Sequence, residues 1–141
     1  MDLSPRRRAR ELVLKRLYAA EVEEIDSDES IEQIVDEESL SERNIEFVRQ
    51  FFSLVRKHKD WADRVIGELA EHWKVERIAL IDRILMRMAL VELREMPDTP
   101  VKVAINEAIE LAKKYSTGES SSFINGILDH YAKDMAAYEG I

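Results

Sequence analysis

Four glycines and three prolines punctuate 141 residues, and strand-like alternation of apolar and polar side chains is missing. Residues that interrupt helices are therefore scarce, and almost every segment carries its apolar side chains at three- and four-residue spacing, the period of an α-helix with one buried face. A chain patterned this way folds as helices packed on helices. At 141 residues it suffices for one domain or two tightly packed subdomains.

The helices can be placed one by one. Ser4-Pro5 pairs an N-cap residue with proline at the first helical position, and Ala9, Leu12, Val13, Leu17 and Ala20 form the apolar face that follows. Acidic residues crowd positions 23–29 and are the natural joint. Ser30 with Gln33, and Ser39 with Glu42, have the spacing of capping boxes. The second box opens a helix with Ile45, Val48, Phe51, Phe52 and Val55 at core spacing. Asp60 caps the next, whose apolar positions are Trp61, Val65, Ile66, Leu69 and Trp73. Ile78–Leu93 is apolar around most of its circumference, which predicts the most buried helix, stopped by Met96-Pro97-Asp98-Thr99-Pro100. Val103–Tyr115 is helical with Ile105, Ala108, Ile109 and Ala112 inward. Ser116-Thr117-Gly118 ends it, and a last helix runs from near Ser120 to about Ala137. The expectation is an all-α fold of about seven helices with short connections. Gly126 inside the last helix costs roughly 1 kcal/mol against alanine, and close approach of a neighbouring helix is the expected reason.

Charge is the second constraint. The chain carries -8 overall, yet residues 5–16 carry +5, leaving -13 on the rest. Arginine occupies four of the five positions Arg6-Arg7-Arg8-Ala9-Arg10. A basic stripe on an acidic body reads as a docking site for a polyanion, whether RNA, DNA or an acidic protein, and less readily for an anionic membrane. At 100° per residue Arg7, Arg10, Leu14 and Tyr18 share a stripe, and guanidinium groups followed by a reachable aromatic ring suit phosphates and an unstacked base. The arginines also crowd the positive end of the helix dipole, so an anion docked there relieves a local repulsion. The plainer alternatives are a solvated helix end or a protein-docking patch.

Gly118-Glu119-Ser120-Ser121-Ser122-Phe123 gathers hydroxyls, backbone N–H groups and an aromatic ring at the start of the last helix, which suits phosphate and base contacts. The alternative is an ordinary Ser-capped helix with Phe123 in the core. Asp82, Arg83, Arg87 and Glu92 interrupt a helix that otherwise reads as buried, so they need partners: internal ion pairs, or a partner protein.

Other classes find little support. Cysteine is absent, which excludes disulfides and thiolate chemistry. His58, His72 and His130 lack metal-ligand spacing, and no phosphate loop, nucleophile elbow or dinucleotide fingerprint occurs. Catalytic residues, metal ligands and cofactors are therefore expected to be none. No apolar region follows the basic N-terminus as in a secretory signal, and the longest apolar stretch carries too many charges to span a bilayer. A soluble cytoplasmic protein is expected.

With these residues assembled, the chain resembles the NusB family of bacterial transcription antitermination factors. The resemblance rests on Pro5-Arg6-Arg7-Arg8-Ala9-Arg10-Glu11 with Leu17-Tyr18, on Trp73 through the run Asp82 to Leu93, on Pro100 to Tyr115 with its Ile-Asn-Glu-Ala-Ile-Glu-Leu-Ala-Lys core, and on Phe123-Ile124-Asn125-Gly126-Ile127-Leu128-Asp129. It spans nearly the whole chain. It implies two packed helical subdomains, about 1–75 and about 76–141, and no enzymatic activity. It also implies binding of the boxA element of nascent ribosomal RNA transcripts, single-stranded, together with NusE, a protein of the small ribosomal subunit, within the RNA polymerase antitermination complex. Carried over by position, the RNA-binding residues are Arg6, Arg7, Arg8, Arg10, Glu119, Ser120 and Phe123, and the NusE contacts are Tyr18 and Asp82. Gly118-Glu119 and Ser121-Ser122 depart from the acidic and more basic or polar pairs found in many relatives. A similar helical domain also occurs as the RNA-binding appendage of certain ribosomal RNA cytosine methyltransferases. The chain ends at Ile141 without a cysteine, which argues against that reading, and the arginine stripe argues against a purely structural adaptor.

Overall fold

The computed structural model describes residues 5–23, 31, 32, 35, 39–71 and 74–138. Six α-helices are delimited among them: α1 Pro5–Glu23, α2 Glu42–Lys57, α3 Lys59–Leu69, α4 Leu80–Glu95, α5 Val101–Tyr115 and α6 Gly118–Tyr138, with a short 3-10 turn at Val75–Arg77 before α4. Ile31, Glu32 and Val35 are helical as well. The described residues contain no strand, as the periodicity requires, and the delimited helices number six where the periodicity predicts about seven. The expected caps at Ser4 and at Ser30 with Gln33, the body of the acidic stretch, and Trp73 lie outside the described residues.

The chain divides into two compact units, Met1–Lys57 and His58–Ile141. In the first, α1 packs on α2. The predicted apolar residues of α1 are buried, and so are Arg10, Glu11 and Leu14, so the run from Ala9 to Leu14 is enclosed on every side. The stripe Arg7, Arg10, Leu14, Tyr18 is therefore not one exposed surface: Arg10 and Leu14 are 4% and 1% exposed, while Tyr18 is 40% exposed. In α2, Phe47, Val48, Phe51, Phe52 and Val55 are buried. The Asn44 N–H donates to Ser41 Oγ at 3.2 Å, so Ser41 rather than Ser39 provides the side-chain cap. Arg49 grips the Glu32 carboxylate with two hydrogen bonds of 2.7 and 2.8 Å, which hold that carboxyl below its usual range. Both side chains are half in water, so the pair stabilises by only about 0–1 kcal/mol.

In the second unit α4 packs on α3, α5 and α6. From Ile84 to Leu93 every residue of α4 is buried, in line with its all-round apolar pattern. Arg87, 4% exposed, survives there because its guanidinium forms a two-bonded pair with Asp63 of α3, at 2.7 and 2.9 Å. Helix α3 begins after His58 with no side-chain cap, and Asp60, the expected cap, falls in its first turn, where the helix dipole still favours a carboxylate. Trp61 meets the edge of Tyr131 and lies under the Arg94 guanidinium, tying α3, α4 and α6 together. Gly126 is exposed, and a Cβ added there meets nothing within 4 Å, so close helix approach does not explain it. The close approach occurs at Gly67 instead, where a Cβ would lie 3.3 Å from Val75.

Candidate nucleic-acid and partner interface

The first cluster lies on α1. Arg6 is held over the Phe47 ring at 4.0 Å and donates through Nε to Asn44 Oδ1 at 3.0 Å. Arg10 packs over the same ring at 5.2 Å and is buried. Phe47 thus fixes two guanidinium groups from α2, by stacking that the α1 sequence cannot reveal. Arg7 and Arg8 are half-buried. Arg8 and Lys15 both pair with Glu11, the latter at 3.9 Å, and Glu11 is 1% exposed. The outer side of α1 presents Lys15, Tyr18 and Val22, the last two among the exposed large hydrophobic residues.

The second cluster lies where α4 and α6 begin. Arg77, Ile78, Ala79, Asp82, Thr117, Glu119, Ser120 and Phe123 line an open cavity of about 310 Å³. Helix α6 starts earlier than expected. Thr117, not Ser120, is the N-cap: its Oγ1 accepts from the Ser120 N–H at 3.1 Å, and its carbonyl accepts from the Ser121 N–H at 3.1 Å. Ser120 therefore sits in the first turn with its hydroxyl turned to α4, donating to Asp82 Oδ2 at 2.7 Å. Asp82 is 6% exposed, and its Oδ1 is buried and accepts no hydrogen bond from the described residues. Glu119 is exposed, Phe123 is half-buried, and Ser121 is buried with its hydroxyl returned to the Gly118 carbonyl. Ser121 is thus spent on the helix start, and Glu119, Ser120 and Phe123 are the members of the segment that face the cavity.

The fold therefore brings Asp82 together with Glu119, Ser120 and Phe123, and it places the arginines and Tyr18 in the other unit. Sequence reasoning missed Arg77, Thr117 and Phe47. Thr117 was readable as a hydroxyl three residues before Ser120, but the adjoining Gly118 looked like the end of the preceding helix.

The cavity can take a flat group against Phe123. Its two carboxylates accept hydrogen bonds, and Arg77 offers a cation. Among the described residues no group of side chains could hold a metal ion, and no helix is long and apolar enough to cross a membrane.

A half-buried ring makes a distinct prediction for Phe123→Ala. Removal costs about 1 kcal/mol of stability, well short of the 3–5 kcal/mol of an enclosed phenylalanine. If the ring stacks on a base, RNA affinity falls by roughly 1–3 kcal/mol. Thermal melts and RNA titrations of one variant separate the two, and a melt showing the full core penalty with unchanged RNA affinity makes Phe123 a packing residue.

Comparison with known proteins places the sequence and the helical fold among relatives. A family model described as the NusB family matches residues 7–133. The transcription antitermination protein NusB of Dehalococcoides mccartyi (strain CBDB1) is 40% identical over 131 residues, covering 93% of this chain and 92% of that one. Its counterpart in Bacillus subtilis (strain 168) is 38% identical over 130 residues, covering 92% and 96%. A crystal form of T. maritima NusB superposes with a TM-score of 0.85 at 36% identity, over 94% of this chain and 93% of the other. A structure of antitermination factors NusB and NusE in complex with dsRNA matches at a TM-score of 0.82 and 21% identity, over 92% and 97%, a likeness of fold.

Proposed function

The chain belongs to the NusB family, and from that premise we propose that it is an RNA-binding transcription antitermination factor, not an enzyme, that works in the cytoplasm. It binds the boxA element of nascent ribosomal RNA as a single strand, together with NusE, and so joins the RNA polymerase antitermination complex. The RNA contacts are Arg6, Arg7 and Arg8 on α1 and Glu119, Ser120 and Phe123 at the start of α6, and Arg10, expected from sequence to join them, is buried against Phe47 and supports them from beneath. Tyr18 and Asp82 meet NusE.

The observation that carries this reading is that Asp82 lines one cavity with Glu119, Ser120 and Phe123, although it lies 38 residues from Ser120 in sequence. Its ring, hydroxyl and carboxylates suit a base bearing an amino group, since acidic side chains accept from such groups. The arginines supply the attraction to phosphate that no base contact provides. Arg6 and Arg10, packed on Phe47, hold the first turns of α1 in place, and Arg6, Arg7 and Arg8 are the half-buried arginines there.

Titration of a labelled boxA-like oligonucleotide, with and without NusE, tests the proposal. Binding is expected to prefer boxA over a scrambled strand and to tighten with NusE by a factor of about 5–150, the usual range for coupled ligands. Equal binding of both strands in both conditions ends it.

A further inference from the structure

Asp82 and Ser120, assigned above to different ligands, are joined by one hydrogen bond, and that bond holds a single proton. Ser120 Oγ gives it to Asp82 Oδ2 at 2.7 Å, while Thr117 Oγ1 donates to Ser120 Oγ at 3.1 Å. The other Asp82 oxygen is buried and accepts nothing from the described residues, so Ser120 is the donor on which this 6%-exposed carboxylate depends. A hydroxyl has one proton to give.

We infer that Ser120 is a positioning residue that couples the two binding events, by surrendering that proton to RNA and leaving Asp82 to be satisfied by the protein partner. The inference rests on the reading above. When a phosphate or base oxygen accepts from Ser120, Asp82 loses its donor. A buried carboxylate without hydrogen bonds is costly, and an N–H or ammonium group of the partner reaching the cavity wall removes that cost. Run the other way, a partner donor on Asp82 frees the Ser120 hydroxyl for RNA. Linkage makes the two effects equal. The two-state element is the Ser120 hydroxyl, whose alternative acceptors are Asp82 Oδ2 and the RNA.

This scheme has a consequence that simple loss of a contact does not. In Ser120→Ala the Asp82 carboxylate lacks its donor from the start, so NusE binds the RNA-free variant more tightly than it binds the RNA-free wild type. The backbone bond from residue 120 to Thr117 Oγ1 survives the substitution, so the helix start is kept.

The test measures NusE affinity with and without saturating boxA-like RNA, for the full chain and for Ser120→Ala, Ser120→Thr and Asp82→Asn, with thermal melts of each. In the wild type RNA is expected to tighten NusE binding about tenfold. In Ser120→Ala the RNA-free affinity rises toward the wild-type RNA-bound value and coupling falls below about threefold. Ser120→Thr, which keeps the hydroxyl, restores the wild-type pattern, and Asp82→Asn weakens NusE binding and loses the coupling. Wild-type coupling retained in Ser120→Ala, or a lower RNA-free NusE affinity in that variant, overturns the inference. A wild-type chain that binds neither RNA nor NusE fails the functional reading itself, a result distinct from the loss of coupling alone.

Discussion

Replacing Arg6, Arg7, Arg8 and Arg10 together by glutamine is expected to weaken binding of a boxA-type single strand about 10²-fold at 0.1 M salt. Each phosphate neutralised on a single strand contributes about 0.7 to the slope of log K against log[salt], so the three half-buried arginines give a slope near -2, while Arg10, buried against Phe47, braces them. Between 1 M and 0.1 M salt that slope amounts to about two decades of affinity, which the neutral variant forfeits for every RNA alike. The structure refines the single substitutions. Arg7→Gln is expected to make the slope shallower by roughly 0.7, and Arg8→Gln to do the same while also lowering the melting temperature, because Arg8 pairs with Glu11, which is 1% exposed. Arg10→Gln removes a buried guanidinium stacked on Phe47 and is expected to lower the melting temperature as well. Salt titrations of the quadruple variant decide the matter: an unchanged slope and affinity would place the RNA elsewhere on the protein.

The largest effect on stability is expected at Arg87. Its side chain is 4% exposed and bonds both Asp63 oxygens. Arg87→Ala leaves a void beside α4 and a carboxylate, 27% exposed, without its counter-ion. Breaking a buried pair from one side costs about 3–5 kcal/mol. For a chain of this length that lowers the melting temperature by at least about 10 °C. Asp63→Asn keeps a hydrogen-bond acceptor and is expected to cost less. Replacing both members by apolar residues of similar volume recovers most of the loss, because the desolvation of two charges is no longer incurred. Chemical denaturation of the single and double variants measures each term, and additive losses in the double variant would show that the pair is not coupled.

Asp82→Ala reads differently from Arg87→Ala, although both residues interrupt the same buried helix. Arg87 points to α3 and is part of the scaffold, whereas Asp82 lines the cavity wall and is reached through Ser120. From sequence the two were equivalent charges needing partners.

The sequence by itself determined the helical class, the apolar faces of α1 and α2, the burial of α4 and the basic character of α1. Each follows from information within a few residues, because helical period, charge and breaker residues act over one or two turns. It also carried the segments that mark the family, and with them the candidate residues. Cap positions shifted by up to three residues, to Ser41 and Thr117, since several neighbouring hydroxyls compete for the same N–H groups and only the realised backbone chooses. What tertiary structure alone decided is which of these side chains face water and which meet each other. Phe47 of α2 draws in Arg6 and Arg10, and Ser120 closes a hydrogen bond to Asp82 across 38 residues. Such contacts depend on where two helices cross, which no local pattern in either helix encodes.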